Sequence, residues 1–225
     1  MQHDNDIYST HESITTYEKE LSSTLSYTRN GGNFDQYASD TYWVPVYKDK
    51  SAQKGSKPSL LLWFFDSRAG HTLGGQGGVD GWVDPAVGDW INSESQKMEA
   101  SWGSLPSGIA FVHIPSHDFV TASEEAPYKD HVGGVKNETV FETENRTYPG
   151  LNDDQPFAGQ ANDNGYTGAD RPYLNAFMGS ATGKSRIHAI ISGHQHGNDW
   201  CSPSSLKTQS NQIVPVCFAK VNSHV

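Results

Sequence analysis

The segment richest in potential chemistry is Gly193-His194-Gln195-His196-Gly197. Two imidazoles two residues apart, bracketed by glycines, can turn toward one point, because glycine lets the backbone bend tightly. Imidazole is a common ligand for zinc, iron and related ions. In a site with two ions about 3.5–4 Å apart, such neighbours can serve one ion each. The segment follows the apolar run Ile187 to Ser192 (IHAIIS), and two other apolar runs end the same way. Phe64-Phe65-Asp66-Ser67 closes one and Phe111-Val112-His113-Ile114-Pro115 the other. Ligands of open α/β sheets collect at the carboxyl ends of strands, so these polar groups stand where a site belongs. His113 is the natural third imidazole. A lone histidine is more often a hydrogen-bonded structural residue, and His113 by itself reads that way; His-x-His between glycines reads as metal ligation.

The elements that must position these groups follow from periodicity. Ser59 to Asp66 (SLLLWFFD), Ile109 to Ile114 (IAFVHI), Ile187 to Ser192 and Ile213 to Ala219 are short continuous apolar runs, which predicts strands buried on both faces. Trp43 to Tyr47 is a further short strand candidate. Ser9-Thr10-His11-Glu12 has capping-box spacing, and Ile14, Tyr17, Leu21 and Leu25 follow at helical intervals, which predicts an amphipathic helix ending at Asn30-Gly31-Gly32. Asp84-Pro85 predicts a helix start with Asp as cap, its buried stripe formed by Val87, Trp90, Ile91 and Met98. Asp170-Arg171-Pro172 opens a short helix carrying Tyr173, Leu174, Phe177 and Met178. Arg68 to Gly81 is Gly-rich loop, and Ser116 to Gly168 is a long polar stretch of the kind that is usually functional or runs over the surface. Buried strands alternating with helices give an α/β domain.

Composition narrows the function. The 225 residues carry 16 Lys and Arg against 26 Asp and Glu, a net charge of −10. Nucleic-acid binding needs clustered positive charge, so this balance argues against it. No apolar run approaches the roughly 20 residues of a membrane-spanning helix. Asn137-Glu138-Thr139 and Asn145-Arg146-Thr147 are glycosylation sequons in one polar stretch. Cys201 and Cys217 are the only cysteines, and they read either as a disulfide or as two buried thiols. Together these features lean toward a secretory route, although Met1 to Thr10 contains no leader pattern. Other motifs carry less. Gly179 to Ser185 resembles a phosphate loop but has the wrong glycine spacing and precedes a strand, and no Gly-x-Ser-x-Gly elbow occurs. His117, Asp153 and Asp154 read as solvated loop residues, and Trp63, Trp82, Trp90 and Trp200 as core and rim packing.

Gly193 to Cys201 (GHQHGNDWC) resembles the terminal metal motif of calcineurin-like metallophosphoesterases, and in particular the fungal and plant branch related to purple acid phosphatases. LLLWFFDSR (60–68), GGVDGWVDPAVGDWI (77–91), IAFVHIPSHDF (109–119) and GLNDDQPFAGQ (150–160) are similar to the same branch in the same order. The resemblance implies an α/β sandwich of two mixed sheets flanked by helices, two ions drawn from iron, zinc and manganese, and a phosphoester substrate. It implies that His113 and His194 ligate the second metal and His196 the first. Met1 to Asp6 overlays the family's Gly-Asn-His-Asp block, which puts His3 in the place of the phosphate-contacting, acid-supplying histidine and Gln2 in the place of a metal-ligating Asn.

The family's Asp-x-His and Gly-Asp-x-x-Asp blocks, which hold the bridging carboxylate and most ligands of the first metal, occur nowhere in this sequence. The expectation is a partial phosphoesterase domain over residues 1–220 with a non-matching tail at 221–225, holding at most one ion and showing little or no hydrolysis. The alternatives are a non-catalytic product with residual metal binding, or a secreted carbohydrate-binding module.

Overall fold

A computed structural model describes residues 7–22, 25–32, 34–53, 55–119, 122, 167–179, 187–194, 201–208 and 210–219. The elements run in the order α1 (His11–Ser22), β1 (Tyr42–Val46), β2 (Leu60–Phe65), α2 (Ala86–Trp102), β3 (Ser107–Val112), α3 (Arg171–Gly179), β4 (Ile187–Ser192), β5 (Cys201–Lys207) and β6 (Ile213–Phe218). The six strands form one sheet in the order β1-β2-β3-β4-β6-β5. The inner pairs β2–β3, β3–β4 and β4–β6 are parallel, whereas β1 and β5 pair antiparallel at the two edges. The chain is thus mixed α/β. Among the described residues there is this one sheet, and a second layer of the expected sandwich is not among them.

The helices form where capping and periodicity favour them. The Asp84 carboxylate accepts from the Ala86 amide at 2.9 Å, so Asp84 caps α2 with Pro85 in its first turn as the sequence predicts. Val87, Ile91 and Met98 are buried and Trp90 is half-buried against them. In α3, Tyr173, Leu174, Phe177 and Met178 are all buried. The two helices cover the face of the sheet that presents Leu61, Trp63, Phe65, Ala110, Val112 and Ile190. Phe177 packs edge-on to both Trp63 and Phe65, at 5.7 and 5.1 Å between ring centroids.

Three sequence expectations change. The apolar strands are buried on one face only: in β2 and β3 burial alternates strictly, with every second residue half-exposed. The half-exposed face carries a stacked ladder of Tyr42, Phe64 and Phe111, at 4.9 and 5.1 Å. The capping box of α1 sits one residue later than Ser9–Glu12. The Thr10 hydroxyl accepts from the Ser13 amide and the Ser13 hydroxyl accepts from the Thr10 amide, so both exposed donors of the helix start are satisfied.

The third change is the phase of α1. Ile14, Tyr17, Leu21 and the following Leu25 are exposed, at 40, 61, 68 and 80%, while His11 and Thr15 are buried. A polar face turns inward because its side chains find buried carboxylates there. His11 bonds to Asp66 and Thr15 donates to Asp40.

β5 is a strand that apolar periodicity does not reveal. Its inward side chains include Ser202 and Ser204, which are buried because their hydroxyls donate to the Pro203 and Val214 carbonyls. Cys201 faces Cys217 in the β5–β6 register, and the two form a disulfide. No described helix is long and apolar enough to cross a membrane.

Candidate metal centre

The parallel register decides which side chains meet. Phe65 lies beside Val112, and Val112 beside Ser192, so the residues that follow β2, β3 and β4 emerge together at one edge of the sheet. Those residues are Asp66, His113 and Gly193-His194. Hydrogen bonds between the strand ends fix them. Ser67 Oγ accepts from the Ile114 amide at 3.0 Å, and the His113 carbonyl accepts from Ser192 Oγ at 2.7 Å and from the Gly193 amide at 3.2 Å. Three residues just past these ends adopt the left-handed conformation, with φ of 59° at Arg68, 71° at Ala69 and 63° at His194. Non-glycine residues held there cost on the order of 1–3 kcal/mol each, and such backbone clusters at functional sites.

His113 and His194 come together. Nε2 of His113 lies 3.3 Å from Nδ1 of His194, with the rings nearly perpendicular and their centroids 5.0 Å apart. His194 is buried and His113 half-buried. Bonds of about 2.0–2.1 Å in a tetrahedral zinc site set neighbouring ligand nitrogens about 3.3 Å apart, so the observed separation fits two ligands of one ion as well as an N–H···N hydrogen bond. His3, Gln2 and His196, the other site residues of the sequence reading, lie outside the described residues, as do both sequons, Asp153 and Asp154. His117 is half-buried, and its amide donates to Asp170 at 2.9 Å.

His113 also lines a cavity of about 230 Å³ on the laddered face of the sheet, together with Tyr42, Phe64, Asp66, Asp40 and His11. Here the structure adds residues that sequence reasoning passes over. His11 Nδ1 lies 2.7 Å from Asp66 Oδ2, and both side chains are buried. Asp66 Oδ2 also accepts from the Asp40 amide at 3.2 Å, and Oδ1 accepts from the Arg68 amide at 2.8 Å. Thr15 donates to Asp40 Oδ1, while Asp40 Oδ2 is buried without a hydrogen-bond partner. Each of His11, Asp40 and Asp66 offers a ligand atom within 4.8 Å of the others, so this buried group can hold a metal ion.

Burial is the main cause that raises the Asp40 carboxyl from 3.8 to about 6; the Thr15 hydroxyl opposes the shift, and the nearby Asp66 charge adds to it. Burial likewise pushes the Tyr42 hydroxyl above its ordinary value. Asp66 carries a legible signal, a carboxylate closing an apolar strand. His11 and Asp40 carry none, because His11 reads as part of a helix cap and Asp40 as loop.

No family model, curated protein or solved structure matches the chain. Geometry and chemistry carry the functional reading.

Proposed function

We propose that the chain carries the imidazole side of a metal-dependent phosphoesterase centre with a calcineurin-like sheet. The observation that supports this reading is the pairing of His113 Nε2 with His194 Nδ1 at 3.3 Å, at the ends of parallel strands beside a cavity. The family resemblance assigns these two histidines to the same metal ion. A divalent ion in such a centre polarises phosphoryl oxygens and lowers the pKa of its water. Two neutral imidazoles suit zinc or iron in that role. In the complete centre His196 and Gln2 add ligands and His3 passes a proton to the departing alkoxide, as the resemblance implies.

Without an Asp-x-His or Gly-Asp-x-x-Asp block, the sequence lacks the family's bridging carboxylate. Ion and phosphate binding are therefore expected of this chain, and turnover is not. The cross-strand disulfide fits an oxidising, secretory-route compartment.

Calorimetric titration with Zn(II), followed by inorganic phosphate, tests the reading. We expect a zinc-binding event that weakens at least tenfold in His113→Ala and in His194→Ala, phosphate binding only to the zinc-loaded protein, and no measurable hydrolysis of p-nitrophenyl phosphate. Zinc affinity unchanged in both variants, or zinc binding without any phosphate binding, would overturn it. Turnover that vanishes in His194→Ala would support the centre and correct the expectation of inactivity.

A further inference from the structure

The His11, Asp40 and Asp66 group differs from the imidazole pair in place and in donors. It joins the first turn of α1, the residues before β1 and the end of β2. All three side chains are buried, with relative exposures of 3, 8 and 5%. A structural polar cluster satisfies its members, and Asp66 is satisfied: its two oxygens accept from His11, from the Asp40 amide and from the Arg68 amide. Asp40 is not. Its Oδ2 is buried in the wall of the cavity and has no hydrogen-bond partner, although a buried carboxylate oxygen without one is costly.

The nearby charges compensate it only in part: the His11 ring favours the charged carboxylate, while Asp66 and Glu18 oppose it. The side chains acting on Asp40 are Thr15, Asp66, His11 and Glu18, which include two further carboxylates and neither a lysine nor an arginine. Arg68, two residues after Asp66, directs its guanidinium elsewhere, to the Trp82 carbonyl and toward Asp80 and Asp84.

We infer that His11, Asp40 and Asp66 form a divalent-cation site of their own, beside the His113–His194 pair and separate from it. One imidazole and two carboxylates are a donor set for zinc or manganese, and zinc takes such ligands at about 2.0–2.2 Å. Ligand atoms within 4.8 Å of one another need only small adjustments to reach such distances. The ion takes its place between His11 and Asp66, now in hydrogen-bond contact, and gains Asp40 Oδ2. The neighbouring 230 Å³ cavity leaves room for water or a ligand at the remaining position. The site also accounts for the phase of α1. His11 and Thr15 face inward because one supplies a ligand and the other orients a ligand.

Equilibrium dialysis of the full chain against Zn(II), with the metal counted per protein, tests the inference in a way that separates it from the phosphoesterase reading. The double variant His113→Ala/His194→Ala removes the imidazole pair, and Asp40→Asn and His11→Gln each remove one donor from the new site. We expect the double variant to keep one zinc per chain, and Asp40→Asn to lose at least tenfold in affinity for that ion when combined with it. In that double-variant background, thermal unfolding should show a zinc-dependent rise in Tm that adding Asp40→Asn abolishes. A double variant that binds no zinc, or an Asp40→Asn background with undiminished binding, overturns the site while leaving the imidazole pair's own test intact. Should the double variant not fold, anomalous scattering from zinc-soaked crystals of the unaltered chain decides the matter. Density between His11, Asp40 and Asp66 supports the site, and its absence there refutes it.

Discussion

His113 and His194 are legible in the sequence as potential ligands, because strand-end polar residues in an α/β sheet emerge at one edge. His11 and Asp40 are not legible, since their meeting with Asp66 depends on contacts spanning 55 and 26 residues. A second buried carboxylate shows what such placements do to titration. Asp118 is 2% exposed; burial raises its pKa above 3.8, with the Arg171 guanidinium 3.3 Å away opposing the shift and Asp170 adding to it. A carboxyl that binds its proton more tightly when folded contributes stability that is complete below its unfolded value. That contribution is lost as pH rises through the folded value. Asp118→Asn removes the ionisation and keeps an oxygen for Arg171 and Ser205. Urea unfolding at pH 4 and pH 7.5 should therefore show the variant gaining on the unaltered chain as pH rises. A gap that stays constant, or that closes with pH, would show that the ion pair with Arg171 outweighs burial.

At the scale of elements, the apolar runs and helix caps identify α2, α3 and the inner strands closely. The misread phase of α1 has a specific cause. Hydrophobic periodicity assumes that the apolar stripe seeks the core, but here the inward positions are claimed by hydrogen bonds to Asp66 and Asp40. β5 escapes because buried serines carry no apolar signal: Ser204 finds its acceptor only across the sheet at the Val214 carbonyl of β6, and Ser202 at the adjacent Pro203 carbonyl. The α2–α3 contact shows packing overriding propensity in another way. A Cβ on Gly88 would stand 2.8 Å from the Pro172 carbonyl oxygen, a backbone atom that cannot rotate aside. Gly→Ala inside a helix ordinarily gains about 1 kcal/mol. Gly88→Ala should instead lose about 1–2 kcal/mol, since separating packed helices by a methyl group costs roughly 1–3 kcal/mol. Denaturant midpoints of the purified variant check this, and a raised midpoint would mean that α3 yields easily.

For the molecule as a whole, the covalent constraint on the edge strand β5 is the disulfide between Cys201 and Cys217, 16 residues apart. Closing a loop of that length stabilises a fold by about 3 kcal/mol in the chain-entropy account. Reduction, or Cys201→Ser with Cys217→Ser, should lower unfolding free energy by about 2–4 kcal/mol, read from urea curves with and without reductant. Unchanged stability would show that β5 is held by its hydrogen bonds alone. The sequence by itself determined the α/β class, the inner strands, two of the three described helices in their correct phase, and the strand-end histidines. These depend on local periodicity, capping and turn chemistry, which act over a few residues. Only the tertiary structure decided which disulfide alternative holds, that the strands bury a single face, and that a helix-cap histidine meets two aspartates in a shared cavity wall. Those outcomes depend on sheet register and on the pairing of buried polar groups far apart in the chain, which local patterns do not encode.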